Sequence, residues 1–171
     1  MNGIRLHSTT PRRLDPCVRR LLGAMGLEPE KAVWLELHRV KDFRPLLAEC
    51  HINVLVQRKY HKGDLVSGWT IWQDKANDFV EAQFHTVWRD THGNLKDLTP
   101  RQDRERTVLF IPDPSRHFGL THIKSAPAVQ VYDSVRMQGG VLLNGPTERV
   151  HLCIPNLIYE HGIATRSPSA A

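Results

Sequence analysis

Three strand-like segments follow one another between Leu65 and Leu98, and the turns between them are short. The segments span residues 65–73, 79–89 and 95–98, and they are rich in β-branched, aromatic and other large apolar residues. Turn-forming residues separate them at 74–78 and at His92-Gly93-Asn94. Because strands joined by so few residues pair antiparallel, the sequence predicts an antiparallel meander.

Two segments before this meander have features of helices. Asp15 and Pro16 provide an N-cap and a first-turn proline for a helix that extends to Gly26, with apolar residues at helical spacing. A second, short helix is predicted to begin near Cys50, although the β-branched residues that follow leave a strand open. We therefore predict an α+β fold in which N-terminal helices pack on an antiparallel β-sheet.

The remaining segments are less regular. Residues 32–40, 107–111 and 150–154 are further strand candidates, whereas 115–127 is irregular and a Gly139-Gly140 pair interrupts 129–143. The chain has 171 residues, which fits one domain with a substantial core. We expect a flexible N-terminal lead over 1–14, a single α+β domain over 15–164 with its site segment at 49–100, and a disordered tail over 165–171.

Composition narrows the classes of function. No apolar run approaches the roughly 20 residues of a membrane-spanning helix, and 1–11 lacks the apolar core of a secretory signal. We therefore expect a cytoplasmic protein with no membrane partner. The net charge of +5 is spread along the chain rather than gathered in a basic run with interleaved aromatics. A nucleic-acid partner is accordingly not expected.

A cysteine, a histidine and an aspartate occur in an order that suits thiol chemistry. Three cysteines form no disulfide framework, so Cys50 would be distinguished by its surroundings. A helix N-terminus and a histidine both lower a thiol pKa. Cys50 lies at the start of a predicted helix, and His85 follows it in the chain on a predicted strand. Asp97, on the next strand, is placed to hold the other imidazole nitrogen. The order predicts a nucleophile, its base and the base's orienting acid.

These residues resemble the transglutaminase-like superfamily of cysteine enzymes. The likeness lies in Cys50 opening a helix, in Gly68-Trp69, in the run from His85 to Trp88, and in the run from Asp97 to Pro100. His85 is followed here by Thr-Val-Trp rather than by Ala-Trp. The resemblance implies a papain/transglutaminase-like α+β core and a Cys-His-Asp triad. It also implies hydrolysis of, or acyl transfer from, an amide or ester bond.

The substrate of such a site would be a peptide, a protein or a small amide or ester. Asn53, one helical turn after Cys50, is a candidate oxyanion donor beside the Cys50 backbone N–H. Trp69 and Trp88 are candidate walls of a substrate groove, although tryptophans at these positions also suit a core. No cofactor is expected, and the sequence gives no indication of the oligomeric state.

Two other interpretations remain open. A metal site would use Cys50, His51 and His85 with Asp97 or His92, but no paired Cys-x-x-Cys or His-x-x-x-His supports it. A noncatalytic domain would keep the fold and bind a protein or nucleic acid partner through a tryptophan-lined groove or the basic N-terminal region. Considered without the other residues, Cys50 is typical of a buried core position, and His85 is typical of a histidine with a structural role.

Overall fold

A computed structural model describes residues 7–102, 105–124, 126–151 and 155–166. It contains helices α1 (Pro16–Ala24), α2 (Cys50–His61) and α3 (Asn156–Glu160), with single 3₁₀ turns at Pro29–Lys31 and Lys75–Asn77. The strands are β1 (Val33–Glu36), β2 (Asp64–Asp74), β3 (Phe79–Arg89), β4 (Leu95–Lys96), β5 (Thr107–Pro112), β6 (Gly119–Ile123), β7 (Ala126–Tyr132), β8 (Val135–Gln138), β9 (Val141–Asn144) and β10 (Glu148–His151).

The strands form two antiparallel sheets. The larger sheet has seven strands in the order β1-β5-β2-β3-β8-β9, with β4 also paired to β3. The smaller sheet has the order β10-β7-β6. The centre of the larger sheet is the β2–β3 hairpin, which pairs without interruption from Asp64–Arg89 to Asp74–Phe79. The predicted meander from β2 to β4 is thus confirmed.

The predicted α+β class, with N-terminal helices on a sheet and a papain/transglutaminase-like core, was wrong. The protein is 40% strand and 21% helix, and its helices are short. The error arose mainly after residue 118, where five strands, β6 to β10, occupy a region expected to be largely irregular. These strands have seven residues or fewer, and glycines interrupt the pattern between β8 and β9, so no long alternation marks them in the sequence.

Helix α1 begins as predicted. The Asp15 carboxylate accepts a hydrogen bond from the Val18 N–H at 3.1 Å, and Pro16 occupies the first turn. Its apolar side packs on the larger sheet in the main core, which contains Leu21, Leu22, Met25, Trp69, Ile71, Val80, Leu109, Ile111, Val135 and Met137. Burial of this side against the sheet anchors the N-terminal part of the chain.

Helix α2 is buried on most of its sides. Ile52, Leu55 and Val56 pack against β7 of the smaller sheet and against α3, while Val54 packs with Trp88 and Leu98 beside the larger sheet. A helix enclosed in this way needs apolar residues all round rather than a single stripe. This explains why its sequence, with three β-branched residues among its first seven, also suited a strand. The packing fixes the N-terminus of α2 relative to β3.

Both ends of the chain are partly described. Within the predicted lead, Thr9 exchanges two backbone hydrogen bonds of 2.9 Å with Gln73, and the Thr10 hydroxyl accepts from the Leu109 N–H. Residues 1–6 lie outside the described part, as do 167–171 of the predicted tail. Among the described residues, no helix has the length and apolar composition required to cross a membrane.

Candidate functional site

The site forms where the outer side of β3 lacks a strand partner. On that side β8 pairs with Phe79 to Ala82 and β4 with Trp88 and Arg89. Within the described residues, the stretch 83–87 between these two ladders has no neighbouring strand on this outer side, while β2 pairs with it on the inner side. The N-terminus of α2 lies at this gap, as the hydrogen bond between the His51 and Thr86 side chains shows. The gap therefore brings a helix N-terminus to the middle of the central hairpin.

Asp97 is held rigidly beside this gap. Its backbone forms a parallel bridge with Leu37, and its C=O accepts from the His38 N–H at 2.7 Å. The side chain is buried, and its Oδ1 lies 3.0 Å from His85 Nε2 and accepts from the Thr99 N–H at 3.1 Å. Oδ2 accepts from Arg101 Nη1 at 2.7 Å. Both carboxylate oxygens are thereby fixed, and one of them orients His85.

Cys50 is the first residue of α2 and is buried, with 6% of its surface exposed. The side chains of His51 and His85 lie near its thiol, since both lower the pKa of Cys50. Because the first N–H groups of a helix have no intrahelical acceptor, the α2 terminus adds partial positive charge at the same place. His85 uses Nε2 for Asp97, which leaves Nδ1 as the ring atom available to the sulfur.

The electrostatics favour a charged site. Burial alone would raise the pKa of Cys50, but His51 and His85 outweigh it and hold that pKa well below its ordinary value. Burial would lower the pKa of His85, yet Asp97 and Cys50 raise it to about 10. Burial likewise opposes ionisation of Asp97, but His85 holds its pKa below the usual range. These shifts favour a thiolate at Cys50, an imidazolium at His85 and a carboxylate at Asp97.

A cavity of about 490 Å³ opens beside His85 and Asp97. Its walls include side chains from the segment before α2, from β2 and β3, and from the chain after Asp97, among them Leu47, Trp72, Gln83, Thr99 and Arg101. Ala48, which also lines the cavity, has a φ of 58°, an uncommon backbone conformation for a non-glycine residue. The cavity has both apolar and polar walls, as small-molecule sites do.

Asn53 is fully engaged by the protein. Its side-chain oxygen accepts from the Leu46 N–H at 2.9 Å, and its Nδ2 donates to the Leu46 C=O at 2.8 Å and to the Thr99 hydroxyl at 3.2 Å. The residue is completely buried. These bonds hold the segment before Cys50 against the segment after Asp97. Backbone N–H groups of the first α2 turn then remain as the oxyanion donors nearest the thiol.

The tryptophans have different surroundings. Trp69 is completely buried in the main core, where its Nε1 donates to Asp113 at 2.9 Å. Trp88 donates to the Lys62 C=O at 2.8 Å and lines a separate cavity of about 230 Å³. Trp72, on the same face of β2 as Gly68 opposite His85, lines the cavity at the site. The structure thus places Trp72, rather than the two predicted tryptophans, beside His85.

Sequence reasoning missed three residues around Cys50, His85 and Asp97. His51 was considered only as a metal ligand, whereas Thr86 and Arg101 were not singled out. The signals available were the position of His51 next to Cys50 and of Arg101 four residues after Asp97. Neither spacing identifies a contact without the fold. His51, for example, contacts Thr86 only because α2 lies at the gap beside β3.

No group of three or more His, Cys, Asp or Glu side chains in the described chain is arranged to hold a metal ion. Cys17 and Cys50 are free thiols, and Cys153 lies outside the described residues. Comparison with protein-family models, with curated proteins and with solved structures finds no match to this chain. The chemistry of the site is therefore argued from its own geometry.

Proposed function

We propose that Cys50, His85 and Asp97 form a catalytic triad for hydrolysis of, or acyl transfer from, an amide or ester. The observation that supports this most is the hydrogen bond of 3.0 Å from His85 to the buried Asp97, with the Cys50 thiol as the second neighbour of the same ring. An imidazole held between a carboxylate and a thiol at a helix N-terminus is the arrangement that activates a cysteine.

In the first step the Cys50 thiolate attacks the carbonyl carbon. A C–S bond forms, and the carbonyl electron pair moves to oxygen, where N–H groups of the first α2 turn are the nearest donors. When the intermediate collapses, the C–N or C–O bond breaks and the His85 imidazolium protonates the leaving amine or alkoxide. The products are the free amine or alcohol and a thioester on Cys50.

The second step restores the enzyme. Neutral His85 takes a proton from water, or from an acceptor amine or alcohol, as that molecule attacks the thioester carbonyl. The C–S bond breaks, and the sulfur leaves as a thiolate beside the re-formed imidazolium. Water gives hydrolysis, whereas an amine or alcohol gives acyl transfer. Asp97 takes no proton in either step; it fixes the orientation and tautomer of His85.

The proposal concerns the chemistry and not the fold class. Unrelated folds carry the same triads, so a mostly β protein is compatible with the activity that the transglutaminase-like residue order suggests. We propose a peptide, a protein or a small amide or ester as the substrate. A cytoplasmic location would keep the thiolate reduced. The alternative of a noncatalytic binding domain predicts no covalent intermediate.

An activated ester tests the proposal. We expect p-nitrophenyl acetate to give a rapid release of nitrophenolate and a protein whose intact mass has gained one acetyl group on Cys50. Cys50→Ala should abolish both, while the matched variant Cys17→Ala should retain both, since Cys17 lies on α1 beside Asp78, in the turn of the β2–β3 hairpin whose middle holds His85. Acetylation that persists in Cys50→Ala, or that falls mainly on Cys17, would contradict the proposal.

A further inference from the structure

His51 is fixed next to Cys50 from two directions. Its Nδ1 lies 2.8 Å from the Thr86 hydroxyl on β3. Its ring packs at 4.7 Å from the ring of Phe118 and at 5.6 Å from that of Phe84, measured between centroids. Aromatic neighbours on the ring and a hydrogen bond at one nitrogen together restrict both its position and its rotation.

The hydroxyl that holds His51 is itself held. Thr86 is completely buried, and its oxygen lies 3.4 Å from that of Ser67, its cross-strand neighbour on β2. A buried threonine on a central strand has a stiff side chain. With Nδ1 of His51 engaged at this hydroxyl, Nε2 is the ring nitrogen left for the sulfur of the adjacent residue Cys50.

We propose that His51 is a second catalytic histidine, which donates an N–H hydrogen bond to the Cys50 sulfur and shares the stabilisation of the thiolate with His85. This inference rests on the proposed function. In a triad of three residues, His85 is the one side chain that stabilises the thiolate, and it must also protonate the leaving group. With His51 as a second donor, the thiolate no longer depends on His85 as its one side-chain donor.

The same contact acts again in the second step. The thioester sulfur carries no negative charge, so the hydrogen bond from His51 strengthens as the C–S bond breaks and charge returns to sulfur. A better-stabilised thiolate is a better leaving group. His51 therefore favours deacylation as well as formation of the attacking thiolate, while His85 performs the proton transfers and Thr86 acts as a positioning residue for His51.

Two matched pairs of variants separate this role from ring packing. His51→Phe keeps an aromatic ring against Phe84 and Phe118 but removes both nitrogens, whereas His51→Gln keeps a side-chain N–H. Thr86→Val removes the hydroxyl at nearly constant shape, whereas Thr86→Ser retains it. For each variant, the rate of Cys50 alkylation by iodoacetamide is measured against pH by mass spectrometry, with Cys17 as the internal reference.

We expect His51→Phe to shift the alkylation profile of Cys50 upward by at least about one pH unit, so that labelling at pH values below the wild-type midpoint slows about tenfold or more. His51→Gln should recover part of the rate. Thr86→Val should shift the profile in the same direction by less, and Thr86→Ser should restore it. Cys17 labelling should not change in any of the four.

A profile of His51→Phe that coincides with the wild-type profile overturns the inference and leaves the triad intact. If the wild-type Cys50 itself labels no faster than Cys17, the proposed function fails instead, so the two failures are distinguishable. Should circular dichroism show that His51→Phe is misfolded, Thr86→Val decides: an unchanged Cys50 profile in that folded variant overturns the inference.

Discussion

At the scale of single residues, both carboxylate oxygens of Asp97 accept hydrogen bonds. His85 and the Thr99 N–H share one oxygen, and Arg101 donates to the other. An asparagine offers a single oxygen, so its NH₂ group would face a donor on one side or the other. The carboxylate is therefore required for the hydrogen bonds as well as for its charge.

We predict that Asp97→Asn lowers turnover by roughly 10 to 10³, less than the about 10⁴ seen in serine-protease triads, because a preformed thiolate–imidazolium pair depends less on a third member. Cys50→Ala should abolish turnover and His85→Ala should nearly do so. The comparison variant is Asp90→Asn, since Asp90 is also a buried carboxylate that accepts several hydrogen bonds, but it lies in the β3–β4 turn.

The measurement is ester turnover together with Cys50 alkylation for each variant. Asp90→Asn should reduce the stability of the fold while leaving both rates nearly unchanged. Equal rates in Asp97→Asn and the wild type would show that Asp97 is not part of the site. The likeness of the run from Asp97 to Pro100 to the transglutaminase-like pattern would then be a coincidence of turn-forming residues.

At the scale of elements, the central hairpin requires a glycine opposite His85. Gly68 pairs with His85 across β2 and β3, and on its other side it pairs with Pro112 of β5. A Cβ at Gly68 would lie 2.1 Å from the Ile111 carbonyl oxygen and 2.9 Å from Pro112 Cα. Backbone atoms cannot move away as a flexible side chain can, so any side chain here must separate the two strands.

We expect Gly68→Ala to destabilise the protein by about 1–3 kcal/mol, the usual effect of inserting a group into a filled space. Gly119→Ala, on β6, is the matched control because a Cβ there meets nothing within 4 Å. It should change the free energy of unfolding by less than about 0.5 kcal/mol. Urea denaturation of the two variants measures the difference, and equal midpoints would show that β5 does not approach β2 as closely as described.

The elements that the sequence predicted are those with strong local patterns. The helix over 16–24, the helix from Cys50 and the strands β2, β3 and β5 are confirmed, since capping residues, apolar alternation or turn residues marked each of them. Strands β6 to β9 were missed because they are short and Gly139-Gly140 interrupts the pattern. Helix α3, of five residues, follows Pro155 too briefly to show helical periodicity.

At the scale of the whole molecule, the predicted class was wrong although most local elements near the site were right. Fold class depends on how elements pair, and no local pattern shows that 119–151 completes one sheet and forms another. The same limit applies to the site. Cys50, His85 and Asp97 were predicted as site residues from their order, but the contacts of His51 with Thr86 and of Asp97 with Arg101 depend on tertiary packing.

The two free thiols of the described chain provide an internal comparison for the central claim. His51 and His85 hold the pKa of Cys50 well below its ordinary value, although burial opposes them. Burial, followed by the Asp78 carboxylate, raises the pKa of Cys17. A lowered pKa keeps the thiolate populated as the pH falls, whereas a raised pKa delays its formation until the pH is higher.

The most direct test of the account is therefore the pH profile of iodoacetamide labelling at Cys50 and Cys17 in the folded wild-type protein, followed by mass spectrometry. We predict that Cys50 labels rapidly near pH 6 and that its rate changes little from there to about pH 9, because its thiolate is already formed. Cys17 should label slowly near pH 6 and accelerate about tenfold for each pH unit. Two profiles that rise in parallel, with equal rates near pH 6, would contradict the claim that Cys50 is an activated nucleophile.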